Sequence, residues 1–237
     1  MSKNKVKKTI ISEEILKIFI DSCIHDEPQN RITDRIATLI SSSEEKLRYT
    51  PNKLFQLVVQ KCNDDNNRNS KYFVLLGFFN AYGFGTLRNE AEAFKWYLKA
   101  AEQGDIIGQL RVAIYFESGI RKDITKSRYW FEKAANSGLA IAQYRLARSL
   151  QISTETDNDD VSNSIFWLEK SAKAGFDKGI HVLAWIYERG KGVPKDFKKA
   201  FHWYKKLEDS KSGKATRSLV LYCLNGFGTV TDKHEAI

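Results

Sequence analysis

A motif built on tryptophan returns at nearly constant spacing and restricts what this chain can fold into. Four of its five tryptophans, at positions 96, 130, 167 and 203, lie 34, 37 and 36 residues apart. An equivalent upstream position is held by a small or aliphatic residue in every copy: Gly77, Ala113, Ala147, Ala184 and Val220. Self-similarity with a period of a few tens of residues is typical of arrays in which each unit buries its apolar face on the next. The sequence therefore predicts an all-α solenoid of helix pairs.

The residues around each tryptophan favour a tightly packed second helix. An aromatic residue or leucine follows each tryptophan, a lysine lies three positions after it, and small residues come next in most copies. We interpret the tryptophan and its neighbour as filling the gap between two helices, so that truncation to alanine costs about 3–5 kcal/mol. Glycines at 83, 85, 190, 192, 226 and 228 are predicted to form turns, and those at 104, 138 and 175 to end helices.

These motifs closely resemble the Sel1-like repeat. The resemblance is carried by Leu76-Gly77, Gly83-Phe84-Gly85, Lys95-Trp96-Tyr97 and the run 187–193, and it covers about 71–237. It implies tetratricopeptide-like α/α units in a right-handed superhelix, and an adaptor or scaffold that holds protein complexes together. The first repeat is similar in style to expanded fungal families of this repeat, which often accompany kinase domains.

We expect three regions along the chain. Residues 1–11 are predicted to be a disordered basic tail, 12–69 an N-terminal helical cap with a linker, and 70–237 the repeats. The repeats are expected at 70–105, 106–139, 140–176, 177–212 and, incomplete, 213–237. The incomplete repeat is predicted to leave a face that docks elsewhere, a second copy included, or to mark a fragment of a larger kinase-repeat protein. The acidic stretch 153–160 is predicted to be a solvated loop.

Composition favours a basic intracellular protein. The chain carries 38 basic and 29 acidic residues, which gives a net charge of +9 and a pI near 9.3, and this balance steers weakly toward acidic partners. Three widely spaced cysteines and the absence of a Cys-x-x-Cys motif argue against zinc. No signal peptide and no run of about 18 apolar residues is present. We expect a cytoplasmic protein, with the nucleus as the alternative, that contacts no membrane.

The sequence predicts no catalytic site and no cofactor. Its Gly-x-Gly motifs do not continue as a phosphate-binding loop, and its four histidines are scattered over different units. The resemblance also includes cysteine-rich bacterial relatives linked to β-lactam binding. This chain lacks their pairs of cysteines within each repeat, so a β-lactam-binding enzyme is kept only as a remote alternative.

We predict that a protein partner binds on the concave surface, which the first helices line in such superhelices. The candidate residues combine aromatic rings with arginines, a mixture enriched at interaction hot spots. They are Phe78, Phe79, Arg111, Tyr115, Arg145, Arg148, Trp185, Ile186 and Arg217. The expected ligand is an acidic protein segment, and a signalling kinase is one class of partner. A basic solenoid that binds nucleic acid by stacking and charge remains the alternative function.

Overall fold

The computed structural model describes residues 14–15, 17–22, 31–32, 34–36, 38, 50–63, 69–119, 122–153, 158–209 and 219. Over these residues the chain forms helices joined by turns and loops and contains no strand, which confirms the all-α prediction. The chain divides into two units, Met1–Ala134 and Ala135–Ile237. The predicted tail, and the predicted fifth repeat apart from Leu219, lie outside the described residues.

The first unit is a series of antiparallel helices packed on their neighbours in sequence. They are α1 (Pro51–Asn63), α2 (Ser70–Tyr82), α3 (Glu90–Glu102), α4 (Ile106–Ser118) and most of α5 (Ile124–Asn136). Helix α2 packs against both α1 and α3, and α3 packs against α4. The described residues between 14 and 38 are also helical, and four of them, Ile15, Phe19, Ile32 and Ile36, are buried apolar residues.

Short polar side chains set where three of these helices begin. Asn69, Asn89 and Asp105 each stand in extended backbone just before a helix and accept a hydrogen bond from a backbone N–H of its first turn. The Asp105 carboxylate takes two such bonds, from Ile107 at 3.0 Å and from Gly108 at 2.9 Å. Such caps satisfy donors that have no partner inside the helix. The caps therefore fix the residues at which α2, α3 and α4 begin.

Helix α2 is enclosed on every side. Residues 72–80 are all buried, including Phe78 and Phe79. The ring of Phe19 lies 4.4 Å from that of Phe78, and the ring of Phe55 lies 6.4 Å from that of Phe79. A helix that is apolar all round is stable only when neighbours cover each face. The segments before residue 70 thus cover the side of α2 that would otherwise face solvent.

The Gly-x-Gly turn after α2 presses against the start of α1. Gly85 has a φ of +71°, and a Cβ there would lie 2.1 Å from the carbonyl oxygen of Pro51. The amide of Asn52 donates to the Gly85 carbonyl at 3.3 Å. Only glycine combines this left-handed backbone with so close an approach. The predicted turn is confirmed, and it also serves as the contact between α1 and the first repeat.

The second unit repeats the same arrangement of helix pairs. Its helices are α6 (Ala140–Ser153), α7 (Asn158–Lys173), α8 (Asp177–Arg189) and α9 (Phe197–Asp209). Helix α7 packs on both α6 and α8, and α8 also packs on α9. One core joins them, with Leu168, Leu183 and Tyr204 buried at its centre. Helix α8 ends at Gly190, which adopts φ +69° as predicted for a turn glycine.

The residue after the tryptophan is buried in the core in each second helix. Tyr97, Phe131, Leu168 and Tyr204 are almost fully buried, whereas Trp96, Trp167 and Trp203 are only half-buried. Over each tryptophan ring lies the ammonium of the lysine one turn later, 4.8–5.3 Å from the ring centre. Trp130 is buried as well, so the interpretation of both residues as gap fillers is corrected only for the other three repeats. In those repeats the neighbour fills the gap, and the tryptophan closes its edge under a lysine.

The acidic stretch 153–160 is helical wherever the structure describes it. Ser153 is the last residue of α6, and α7 begins at Asn158. The prediction of a loop across the whole stretch was therefore wrong at both ends. Asp160 lies in the first turn of α7, where a carboxylate is favoured because the helix dipole places positive charge there.

Candidate functional site

Three of the predicted partner-binding residues belong to the core. Phe78 and Phe79 are fully buried in α2, and Ile186 is buried in the core of the second unit. A side chain without exposed surface cannot meet a partner in this conformation, so these three residues are removed from the candidate surface. Arg217 lies outside the described residues.

Two other predicted residues, Arg111 and Tyr115, line one pocket of the first unit. The pocket has a volume of about 250 Å³ and opens between the end of α2, the loop after it and α4. Tyr82, Arg88, Glu90 and Tyr97 contribute to the same wall. Sequence reasoning missed these four residues. For Tyr82 a signal existed, because it lies one helical turn after Phe78 and so on the same face.

The Arg111 guanidinium is positioned from two sides. Its Nη1 donates a hydrogen bond to the Tyr82 hydroxyl at 3.3 Å, and its Cζ lies 5.1 Å from the centre of the Phe19 ring. The Tyr82 ring packs in turn against Phe78 at 4.7 Å. Contact with a ring face favours a guanidinium. Arg111 is thus held half-buried at the pocket wall with its charge retained.

Tyr115 stands beside Arg111 with a hydroxyl that stays protonated at neutral pH. Its ring contacts Phe94 at 5.7 Å and Tyr97 at 6.1 Å. Burial raises the pKa of Tyr115 to about 12, and the nearby Glu90 carboxylate adds to this, although Arg111 opposes it. In the part of the chain that the structure describes, the Tyr115 hydroxyl makes no hydrogen bond. The hydroxyl can therefore donate a hydrogen bond to an acceptor in the pocket.

The rim of the pocket carries an ion pair. Arg88 and Glu90 bond to each other through their side chains, and both are well exposed. An exposed pair of this kind contributes little to stability. Both residues line the pocket together with Arg111.

The remaining predicted residues, Arg145, Arg148 and Trp185, lie on α6 and α8 of the second unit. Trp185 has 38% of its surface exposed, and the Lys191 ammonium lies 5.7 Å from its ring centre. Arg148 is exposed on α6 with its guanidinium 5.8 Å from the Tyr144 ring, and Arg145 is half-buried. Arg148 and Trp185 occupy equivalent positions, each one residue after the small residue of its repeat. Of the residues predicted here, Arg148 and Trp185 are exposed, Arg145 is half-buried and Ile186 is buried.

The described residues provide no place for a metal ion or a membrane span. No group of three or more His, Cys, Asp or Glu side chains is close enough among them to hold a metal. No helix in the described ranges is both long enough and apolar enough to cross a bilayer.

Comparison with known proteins identifies the repeat. The family model of the Sel1 repeat matches residues 74–105, 106–139, 140–176 and 178–210, together more than half of the chain. The Sel1-repeat-containing protein YjcO of Escherichia coli is 34% identical over 153 residues, which is 62% of this chain and 65% of that relative. The chain therefore spans slightly less than two thirds of this relative's length.

Two further similarities come from yeast and from a solved structure. The chitin synthase regulator SKT5 of Saccharomyces cerevisiae is 27% identical over 135 residues, or 55% of this chain and 19% of that protein. The crystal structure of a Sel1 repeat protein from Oxalobacter formigenes matches with a TM-score of 0.69 at 25% identity, over 78% of this chain and 76% of that one. This likeness confirms the predicted solenoid class. Sel1 repeats generally mediate contacts between proteins and are typically not catalytic. The chain belongs to the Sel1-repeat family.

Proposed function

We propose that this chain is a non-catalytic scaffold that binds an acidic segment of a partner protein through residues on its first helices. The proposed contacts are Arg111 and Tyr115 in the first unit and Arg145, Arg148 and Trp185 in the second. The expected setting is the cytoplasm.

The observation that carries this proposal is the exposed Trp185 with the Lys191 ammonium over its ring. The other four tryptophans are buried or half-buried, and Trp185 alone falls outside the repeating position. Lys191 lies at its ring and Arg148 occupies the equivalent place on α6. Tryptophan and arginine dominate binding energy at protein interfaces, and the basic side chains select acidic partners. The yeast relative's description as a regulator of an enzyme fits action by binding.

The test is a nuclease-treated pull-down from native extract with the wild-type chain and a variant carrying Arg145→Glu, Arg148→Glu and Trp185→Ala. A matched control carries Phe166→Ala, Lys170→Glu and Lys173→Glu on α7, which changes one exposed ring and two cations on a second helix of the same unit. Circular dichroism melts establish that both variants are folded.

The proposal expects a protein that the wild type and the α7 control capture and that the first variant loses. Equal capture by all three chains would contradict binding on the first helices and would move the site to the N-terminal helices or to the predicted incomplete repeat, where self-association belongs. Recovery of nucleic acid alone, before nuclease treatment, would support the nucleic-acid alternative instead.

A further inference from the structure

We infer that the exposed face of α8 binds an amphipathic helix of the partner protein, one that carries an aromatic anchor residue and acidic residues beside it. This inference rests on the proposed function and assigns a conformation and an anchor to the acidic segment. Its basis is a helix of the same chain. The N-terminal segment, meaning the described residues between 14 and 22, is helical and covers α2, which is the equivalent of α8 in the first unit.

The N-terminal segment shows how a helix lies on a first helix of this protein. Its residues Ile15, Phe19 and Ser22 are buried, whereas Glu14 and Lys17 are exposed. The buried residues follow one another by four and three positions, which places them on one face of a helix. This is the pattern of a helical ligand that lies in a groove with one stripe of side chains inserted.

Phe19 is the aromatic anchor of that stripe. Its ring lies 4.4 Å from the ring of Phe78 on α2, and the guanidinium carbon of Arg111 on α4 lies 5.1 Å from its centre. A ring on one first helix and a guanidinium on the next therefore receive the same side chain. Aromatic contacts and the attraction between a cation and a ring face both favour this arrangement. The first helices of this protein thus accept an aromatic anchor.

The second unit presents the same two kinds of group at its surface. Trp185 holds in α8 the position that Phe78 holds in α2, and it is exposed. Helix α6 packs on α8 and carries the exposed Arg148 at its own equivalent position. Packed helices lie about 8–10 Å apart, so the ring and the guanidinium border one strip of surface. The arginine here precedes the ring in the chain, the reverse of the order in the first unit.

The length and charge of this face suit a short acidic helix. Three exposed residues recur every fourth position along it: His181, Trp185 and Arg189. They span about 12 Å at 1.5 Å per residue, which is two helical turns. The Lys191 ammonium lies over the Trp185 ring, whereas the Glu188 carboxylate accepts a hydrogen bond from Tyr204 of α9 at 2.8 Å, and Asp177 lies in the first turn of α8, before the stripe. The charges beside the ring therefore select acidic residues next to the anchor.

The experiment titrates the full chain with four acetylated and amidated twenty-residue peptides. The Trp185 indole N–H and the Gly190 backbone amide are followed by NMR, and Trp185→Phe assigns the indole signal by removing it. The first peptide is an alanine-rich helix with three glutamates, and its isoleucine and phenylalanine lie four residues apart, as Ile15 and Phe19 do. The second replaces phenylalanine by alanine, the third has a central proline that breaks the helix, and the fourth replaces the glutamates by lysines.

We expect the first peptide to shift both signals and each of the others to bind about fivefold or more weakly, because an anchor, a helix or the complementary charge is lost. Shifts of the Gly190 amide then measure binding to variants of the chain. Trp185→Ala should weaken binding about tenfold or more, and Trp185→Phe should fall between this variant and the wild type. Arg148→Glu should weaken it about threefold to tenfold.

The matched control is Phe166→Ala, which removes an exposed ring from α7, a second helix of the same unit. This variant should bind the first peptide as tightly as the wild type does. Circular dichroism melts show whether each variant is folded, so that a loss of binding by an unfolded chain is not counted.

Several results would overturn the assignment of a helical partner. They are no shift with the first peptide at millimolar concentration, equal binding of the alanine or the proline peptide, tighter binding of the lysine peptide, or an equal loss with Phe166→Ala. A Trp185 signal that moves when the chain is diluted without peptide would assign this face to a second copy instead.

The extract pull-down separates this inference from the proposed function. If the pull-down loses its partner with the first-helix variant while the peptides fail, the scaffold stands and the helical anchor is wrong. If the first peptide binds while the pull-down captures no protein, α8 has a helix-binding face and the proposed function is wrong.

Discussion

Helices α2 and α8 hold the same place in the first and fourth repeats, yet they present different surfaces. Residues 72–80 of α2 are all buried, whereas α8 exposes His181, Trp185 and Arg189, which recur every fourth residue along one face. The residue after the small position is Phe78 in α2 and Trp185 in α8. One is in the core and the other is at the surface. The position of a residue in the repeat therefore does not determine by itself whether a first helix can bind a partner. The segments that pack against that helix determine it.

The largest expected effect tests how completely α2 is enclosed. Phe78→Ala removes a fully buried ring that lies 4.4 Å from the Phe19 ring. It should lower the free energy of unfolding by about 3–5 kcal/mol, measured by urea denaturation. A loss below about 1 kcal/mol would mean that the segment containing Phe19 does not cover α2 in solution.

Alkaline pH offers a second test of how completely α2 is enclosed, because α1, which packs on α2, carries a buried thiol. Burial raises the pKa of the Cys62 thiol on α1 from 9.0 to about 12, against a smaller opposing effect of Lys99. The unfolded chain loses this proton near pH 9 and the folded chain near pH 12. The buried, protonated thiol therefore makes its full contribution to the free energy of unfolding below pH 9. This contribution, a few kcal/mol, is lost as the pH rises to about 12.

Urea unfolding of the wild type and Cys62→Val between pH 8 and 11 would measure that contribution. The variant should lose stability less steeply above pH 9, by up to about 1.4 kcal/mol per pH unit. If the free energy of unfolding fell equally with pH in the wild type and the variant, α1 would not exclude water from the thiol.

A smaller effect is expected where α2 and α3 approach most closely. A Cβ at Gly77 would lie 2.7 Å from two ring carbons of the buried Tyr97. The overpacking cost of Gly77→Ala, about 1–3 kcal/mol, should exceed the gain in helix propensity of about 1 kcal/mol. We expect a net loss of up to about 2 kcal/mol by thermal or urea unfolding. Helix α8 has Ala184 at the equivalent position. If Gly77→Ala stabilised the protein, the packing of α2 on α3 would not require a glycine there, and the two helices would not differ at this position.

The smallest effect on stability should come from Trp185→Ala. The ring is 38% exposed, so its removal should change the free energy of unfolding by no more than about 1 kcal/mol. The same variant should lose partner capture if the proposed surface is used. A large loss of stability together with intact capture would assign Trp185 to the core and remove it from that surface.

The repeat itself could be predicted from the sequence because its signal is periodic. Spacing alone identified the helix pairs, the turn at Gly85 and the C-terminal turn of α8 at Gly190, since each depends on residues close together in the chain. Burial of the residue after each tryptophan could not be separated from burial of the tryptophan itself. Both are large and apolar, and only the packed structure shows which of them a lysine covers.

The candidate surface was harder to predict, for two physical reasons. Consecutive helical residues point about 100° apart, and here Ile186 faces the core while Trp185 faces solvent, which the sequence did not tell. Phe78 is covered by Phe19, about sixty residues earlier, and such a contact has no local signature. The pocket depends in the same way on a loop residue, Arg88, meeting Arg111 on a later helix.

The enclosure of α2 also restricts how this gene could have grown. Repeat arrays lengthen when a unit is copied and inserted between its neighbours, which requires the copy to present the same two contact faces as any other unit. A copy of the 70–105 segment placed further along the array would expose the rings that Phe19 and Phe55 now cover, and Gly85 would have no Pro51 to meet. Duplication should therefore favour the later units, and the first repeat should descend as a single block together with the helices that precede it.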